Sequence, residues 1–344
     1  MWSLIGNENV VAGLAESLRL GRGAHAYLIE GPAGVGKMTL ALDLAQALNC
    51  TGDMPPCGEC VQCDRIAQGK HADVQVIGLR VRDDDEGGSH KELRIEQIKE
   101  LQQAAGLSPF EGSCKVFIID GAEDLNGEAA NRLLKTLEEP PSTVCIVLLS
   151  SDVARLLPTI TSRCRKIVLR PLSADAVEQA LISHCKTEPE RAATLSRLAE
   201  GRIGWAVSAA SDEAVMADRS IQLDEVALLS GQGYHDRISL AGKLATRYGR
   251  DPEDIHGWLG LMEQWWRDLL LVKGGRPDLT VNSDRQDELS TTSQSLPLGA
   301  IADALVQTRS VREHLEKNVN PRLALDVLML NLPLIRKEEA AAAT

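Results

Sequence analysis

Ala26-Tyr27-Leu28-Ile29-Glu30 runs directly into Gly31-Pro32-Ala33-Gly34-Val35-Gly36-Lys37, and the helical stretch 38–48, Met-Thr-Leu-Ala-Leu-Asp-Leu-Ala-Gln-Ala-Leu, follows at once. An apolar strand, a glycine-rich turn and a strong helix, in that order, open an α/β nucleotide-binding fold. Residues 31–37 satisfy the first seven positions of G-x-x-x-x-G-K-[ST]. Gly31, Gly34 and Gly36 let backbone N–H groups turn inward around a β-phosphate, and the helix beginning near Lys37 adds its positive end. Lys37 is placed for the β- and γ-phosphates. A chance glycine turn is the competing reading, and the flanking strand and helix count against it.

The eighth position departs from the pattern. It calls for a Ser or Thr hydroxyl to ligate Mg²⁺, and it is Met38. A thioether is a poor ligand for a hard cation. Thr39, the next hydroxyl and a nucleotide-contacting candidate, sits about 100° further round the helix. The second half of such a site is an apolar strand ending in an acid, and Val116-Phe117-Ile118-Ile119-Asp120 fits, with Asp120 in the Walker-B place. Hydrolysing ATPases of this kind follow that acid with a Glu; here Gly121 follows, and Glu123 is three positions on. Two parts of the hydrolysis machinery are missing, so the expectation is a nucleotide-binding fold that does not hydrolyse. Whether ATP is bound stays open at this point.

Further buried parallel strands are expected at 74–77, 116–120, 144–149 and 166–169, with a helix over 93–107 between the first two. The acidic, glycine-ended stretch 83–88 is expected to be a solvated loop. After Pro171 the pattern becomes all-helical: Ser173 caps a helix over 174–185, another spans 188–200, and Gly201 and Gly204 break the pattern. From about Asp212 helix follows helix, with a polar stretch at 274–297 expected as a loop and a frayed tail at 338–344. The organisation is a nucleotide-binding domain at 1–170, a helical lid at 171–211 and an all-α domain at 212–344.

Four of the eight cysteines fall within fourteen residues, Cys50, Cys57, Cys60 and Cys63, among Gly52, Pro55, Pro56 and Gly58. Four thiolates on a turn-rich segment suit a closed tetrahedral structural Zn²⁺ site. An iron–sulfur cluster and four free thiols are the rival readings. Cys114, Cys145, Cys164 and Cys185 are scattered singly.

The 344 residues carry a net charge of −12 and only 3% aromatics. Both disfavour a chain that grips nucleic acid alone, because phosphate binding needs clustered cations and base stacking needs aromatic platforms. Against that background the window 153–174 holds Arg155, Arg163, Arg165, Lys166 and Arg170 and no acid. A basic surface patch without a role is the plain reading of a charge run. No apolar run approaches the roughly 18 residues of a membrane span, and the N-terminus lacks a signal-peptide pattern. The chain therefore reads as cytoplasmic.

Several phrases occur in one order: Arg22-x-x-His25-Ala26-Tyr27-Leu28, the phosphate loop, the four cysteines, Asn131-Arg132-Leu133-Leu134-Lys135-Thr136-Leu137-Glu138-Glu139-Pro140-Pro141, and Ser162-Arg163-Cys164. Together they resemble the AAA+ clamp-loader subunits of bacterial DNA polymerase III, over residues 1 to about 210. Met38, Gly121, Gly204 at the sensor-2 position, and Ser150 and Ser151 at the sensor-1 position match the family's degenerate delta prime branch rather than its ATPase branch, gamma/tau. The resemblance implies an AAA+ domain, a small lid and a helical collar. It implies hetero-oligomers with gamma/tau and delta, action on a sliding clamp and primed DNA during replication, and membership of the DNA polymerase holoenzyme without intrinsic catalysis. It further implies that Arg163 is an arginine finger, the one catalytic residue, acting in trans on a neighbour's ATP. Ser162 and Cys164 would position its loop. The alternatives are an active gamma/tau-type ATPase, a P-loop nucleotide kinase and a zinc-dependent DNA-binding regulator. Trp258, Trp265 and Trp266 are expected in a core, with packing between subunits as the sharper alternative, and His25 and His71 are expected to be structural.

Overall fold

The computed structural model describes residues 1–78, 93, 95–317 and 319–335; the loop expected at 83–88 and the tail expected at 338–344 lie outside the described residues. The chain forms two compact units, dividing between Val207 and Ser208. In the first unit the order is α1 (Glu8–Arg19), β1 (Ala26–Glu30), α2 (Lys37–Asn49), α3 (Val61–Ala67), β2 (Val74–Ile77), α4 (Ile95–Ala105), β3 (Lys115–Asp120), α5 (Gly127–Glu138), β4 (Val144–Ser150), α6 (Pro158–Thr161), β5 (Arg165–Val168), α7 (Ala174–Cys185) and α8 (Pro189–Ala199). Then α9 (Ile203–Ser211) leads to the second unit: α10 (Glu213–Leu228), α11 (Tyr234–Arg250), α12 (Pro252–Lys273), α13 (Gln286–Ser295), α14 (Leu298–Glu316) and α15 (Pro321–Asn331). None of the described helices is long and apolar enough to cross a membrane.

The five strands pair in the order β2-β3-β4-β1-β5, every pair parallel. Parallel strands need helical crossovers, which cover both faces, so the central strands read as unbroken apolar runs. β1, β3 and β4 are accordingly buried almost throughout, while the edge strands β2 and β5 are half exposed. Alternate side chains serve opposite faces. Leu28, Phe117, Ile119, Ile146 and Leu148 pack with residues of α4 and α5. Tyr27, Ile29, Val116, Ile118, Val147 and Leu149 pack with residues of α1 and α2. The expected strands all form, with ends displaced by at most one residue.

Two expectations fail. Gly204 does not break a helix; it lies in the first turn of α9, and only Gly201, at φ +80°, interrupts the chain there. The polar stretch 274–297 is not one loop, because α13 forms within it. The reason is tertiary. Buried Asp268 on α12 accepts hydrogen bonds from Val281 N (3.1 Å), Asn282 N (2.7 Å) and Asn282 Nδ2 (2.8 Å). Arg219 on α10 donates to Asn282 Oδ1 and pairs with Asp284 at 3.1 Å. The turn is thus anchored, and α13 buries Leu289 and Ser293 in spite of its Ser and Thr content.

In the second unit Trp258, Trp265 and Trp266 on α12 are fully buried within one apolar cluster, as core residues. Arg237 is also fully buried, and no carboxylate among the described residues forms an ion pair with it. Its guanidinium donates instead to carbonyls: Leu229 (2.8 and 2.6 Å), Leu332 (2.7 Å), Pro333 (2.6 Å) and Met329 (3.3 Å). It caps the carboxyl end of α15, where the helix dipole favours a cation. Burial lowers its pKa from the ordinary arginine value. Replacing Arg237 with Ala leaves those carbonyls unpaired. We expect a destabilisation of about 2–4 kcal/mol, read as a lower urea midpoint for tryptophan fluorescence; an unchanged midpoint would refute it.

Candidate functional site

β1 ends beside Ser150 of β4 and Val168 of β5, so the loop leaves the carboxyl edge of a parallel sheet, where such folds bind ligands. Gly31 N donates to Ser150 O at 3.1 Å. Gly36, the N-cap of α2, sits at φ +98°, a conformation that glycine adopts without strain. Lys37 folds back over the loop: its ammonium donates to Gly31 O (2.6 Å), Pro32 O (3.0 Å) and Ser151 Oγ (2.8 Å). The loop is closed from the other side by α9. Gly204 N donates to Gly34 O at 2.7 Å, and a Cβ on Gly204 would lie 2.9 Å from that same oxygen. Only glycine fits so close an approach, which explains the glycine in the first turn of this helix.

Asp120 ends β3, next to Leu149 in register. Desolvation raises its pKa; Lys37 opposes the shift, and Glu123 adds to it. The sequence underrated Glu123. Gly121, at φ +75°, and the 3₁₀ turn Ala122–Asp124 swing it into the site. There Oε1 accepts from Ser151 N at 2.9 Å, while Oε2 is buried without a hydrogen-bond partner. The glycine directly after the strand-ending acid was the available signal. Met38 packs against the apolar cluster beneath α2 and offers no oxygen. Thr39 lies half-buried in the same first turn of α2.

Cys50, Cys57, Cys60 and Cys63 come together with all four sulfurs within 4.8 Å of one another. The Cys57–Cys63 and Cys50–Cys60 separations are 3.9 and 4.0 Å. Tetrahedral Zn–S bonds of about 2.3 Å place sulfurs about 3.8 Å apart, so the donor set fits a metal. N–H groups point at the sulfurs, Gly52 and Cys57 to Cys50 and Cys60 to Cys57, each at 3.3 Å. Burial resists ionisation of Cys60, yet hydrogen bonds from Thr51 and Cys63 bring its pKa down to about 5; burial pushes Cys63 up to about 12. His71 is structural, its Nε2 2.7 Å from Gln62 Oε1.

Arg163 stands apart from the phosphate loop. It precedes β5, whose Arg165 pairs with Tyr27 at the amino end of β1. Gly31 lies four residues further along, roughly 13 Å of strand, so Arg163 and the loop lie at opposite ends of the strands. The Arg163 loop is built from α6: Arg163 N donates to Ile160 O (3.0 Å) and Ser162 Oγ to Thr159 O (3.2 Å). Cys164 packs against the α5 face, and burial pushes its thiol up to about 11. Arg163 itself remains about a third exposed.

The chain is similar to known proteins. A family profile described as "DNA polymerase III, delta subunit" matches residues 6–173. The delta' subunit of Bacillus subtilis DNA polymerase III is 29% identical over 327 residues, covering 93% of this chain and 94% of that one. This chain belongs to the bacterial DNA polymerase III clamp-loader family. The Pseudomonas aeruginosa delta' subunit is 40% identical over 143 residues, 41% of this chain and 42% of that one. Similarity also extends to the tau subunit of Salmonella typhimurium, 34% identical over 235 residues, 66% of this chain but 35% of that one. The chain thus spans about a third of the length of the tau chains that it matches. Within the clamp-loader family, the four-cysteine cluster makes a direct prediction. Elemental analysis of the purified chain should find about one metal ion per chain, and Cys60→Ser should lose both the ion and several degrees of thermal midpoint. A metal-free chain of undiminished stability would refute it.

Proposed function

We propose that this chain is a delta prime-type subunit of the clamp loader, one that does not hydrolyse ATP itself and donates Arg163 to a neighbouring subunit's ATP site. The observation that carries this reading is the separation of the two halves of the chemistry. The chain's own loop lacks a Ser or Thr ligand at Met38 and a Glu after Asp120. Arg163, by contrast, is solvent-accessible and held on a shaped loop at the opposite end of the strands, out of reach of its own Lys37. An arginine so placed serves a nucleotide only in trans, where it stabilises charge on the γ-phosphate as that group is transferred. The near full-length match to a delta' chain supports the same assignment.

In this reading 1–170 is the AAA+ domain, 171–211 the lid and 212–344 the collar that joins the ring. The partners are gamma/tau and delta, with the sliding clamp and primed DNA reached through the assembled cytoplasmic complex. Cys50, Cys57, Cys60 and Cys63 hold a structural Zn²⁺ that stabilises a segment with little core of its own. Gly31, Gly34, Gly36, Lys37, Thr39 and Asp120 form a loop that takes ATP, if at all, without turnover. The second reading, a gamma/tau-type ATPase, draws on the 34% identity to tau over 235 residues, against 29% to the Bacillus subtilis delta' chain.

Two measurements separate the readings. The isolated chain should show no ATPase above background, and a Lys37→Ala-sensitive activity would favour the gamma/tau assignment. In the reconstituted loader, Arg163→Ala should lower DNA-stimulated ATPase by about 10- to 1000-fold at the one site it serves, with subunit composition unchanged. An undiminished rate would sink the trans role.

A further inference from the structure

Arg163 is not held by its own loop alone. Its Nη1 donates to Thr159 O at 2.9 Å, and its Nη2 meets Glu138 Oε1 at 2.7 Å. Glu138 is the last residue of α5, where a carboxylate faces the negative end of the helix dipole. The local preference there is for a cation, and a residue that breaks a local rule points to a role elsewhere. Arg163 is about a third and Glu138 about half exposed, so the pair's contribution to fold stability is small. Its effect is directional. A guanidinium is a planar fork with five N–H donors. Fixing one donor on a carbonyl and another on a carboxylate sets its plane and leaves the remaining donors for another acceptor.

We propose that Glu138 is a positioning residue for Arg163, orienting the guanidinium that α6 presents so that its unused donors face the neighbour's phosphate. This rests on the reading of Arg163 as a finger acting in trans. Glu138 touches no nucleotide; it acts through Arg163 alone. The closing of the neighbour's site then finds the arginine already aimed, and the orientational cost is met on folding instead of at each turnover.

The test uses the fully reconstituted loader and its DNA-stimulated ATPase with four variants: Arg163→Ala, Glu138→Ala, Glu138→Gln and the Arg163→Ala/Glu138→Ala double. Glu138→Ala should lower turnover at the site that Arg163 serves about 3- to 10-fold, with KM for ATP unchanged and the complex intact by gel filtration. Glu138→Gln, whose amide oxygen still accepts from Nη2, should recover most of that loss. The double variant should be no slower than Arg163→Ala. A parental or faster rate in Glu138→Ala, with Arg163→Ala slow, would overturn the positioning role alone. So would a further loss in the double variant. A parental rate in Arg163→Ala would remove the finger reading, and the positioning role with it.

Discussion

The backbone ladder of β1 is the constraint on which the first unit depends. β1 is buried on both faces and paired on both edges, by β4 and by β5. Every amide within it is therefore consumed by the sheet. Unpaired backbone N–H groups become available only where the strand ends, and there the chain turns through glycines into the amino end of α2. A glycine-rich loop is what remains when a fully satisfied strand must pass directly into a helix whose first N–H groups have no partner. The same ladder fixes where Asp120, Ser150 and Ser151 arrive, because each is delivered by a strand in register with β1 or its neighbour.

Within that frame the loop is tied to the chain around it. The side chain of Met38 packs against the apolar cluster below α2. Lys37, with three oxygens of its own chain around it, is held inside the loop. Glu123 steadies Ser151 from a position that no simple spacing rule assigns to it. Gly204 lets α9 sit against the loop backbone, where a longer side chain would push the helix away. At the other end of the strands Ser162, Arg163 and Cys164 are each engaged in shaping one loop, and Glu138 closes that arrangement from α5.

The second unit is held by a different device. Its apolar cluster is centred on the tryptophans of α12, but its loops and helix ends are tied by buried polar groups that bond to backbone. Arg237 gathers carbonyls at the end of α15. Asp268 gathers N–H groups of the turn before α13. Each charge is stabilised by dipoles that would otherwise be orphaned, which is the condition under which a buried ion is tolerated.

The sequence by itself determined the parallel sheet, because central strands buried on both faces must be apolar runs. It also located the glycine-rich loop after β1, the four clustered cysteines and the Ser162-Arg163-Cys164 loop, since each is a local pattern along the chain. It misjudged α13 and Gly204, whose conformations are imposed from elsewhere, by Asp268 in one case and by the carbonyl of Gly34 in the other. Glu123, the separation of Arg163 from Lys37 along the strands, and the Glu138–Arg163 pair were decided only by the tertiary structure. The physical reason is that hydrogen bonds and ion pairs between distant residues follow from register and crossover, and neither leaves a periodic mark in the sequence.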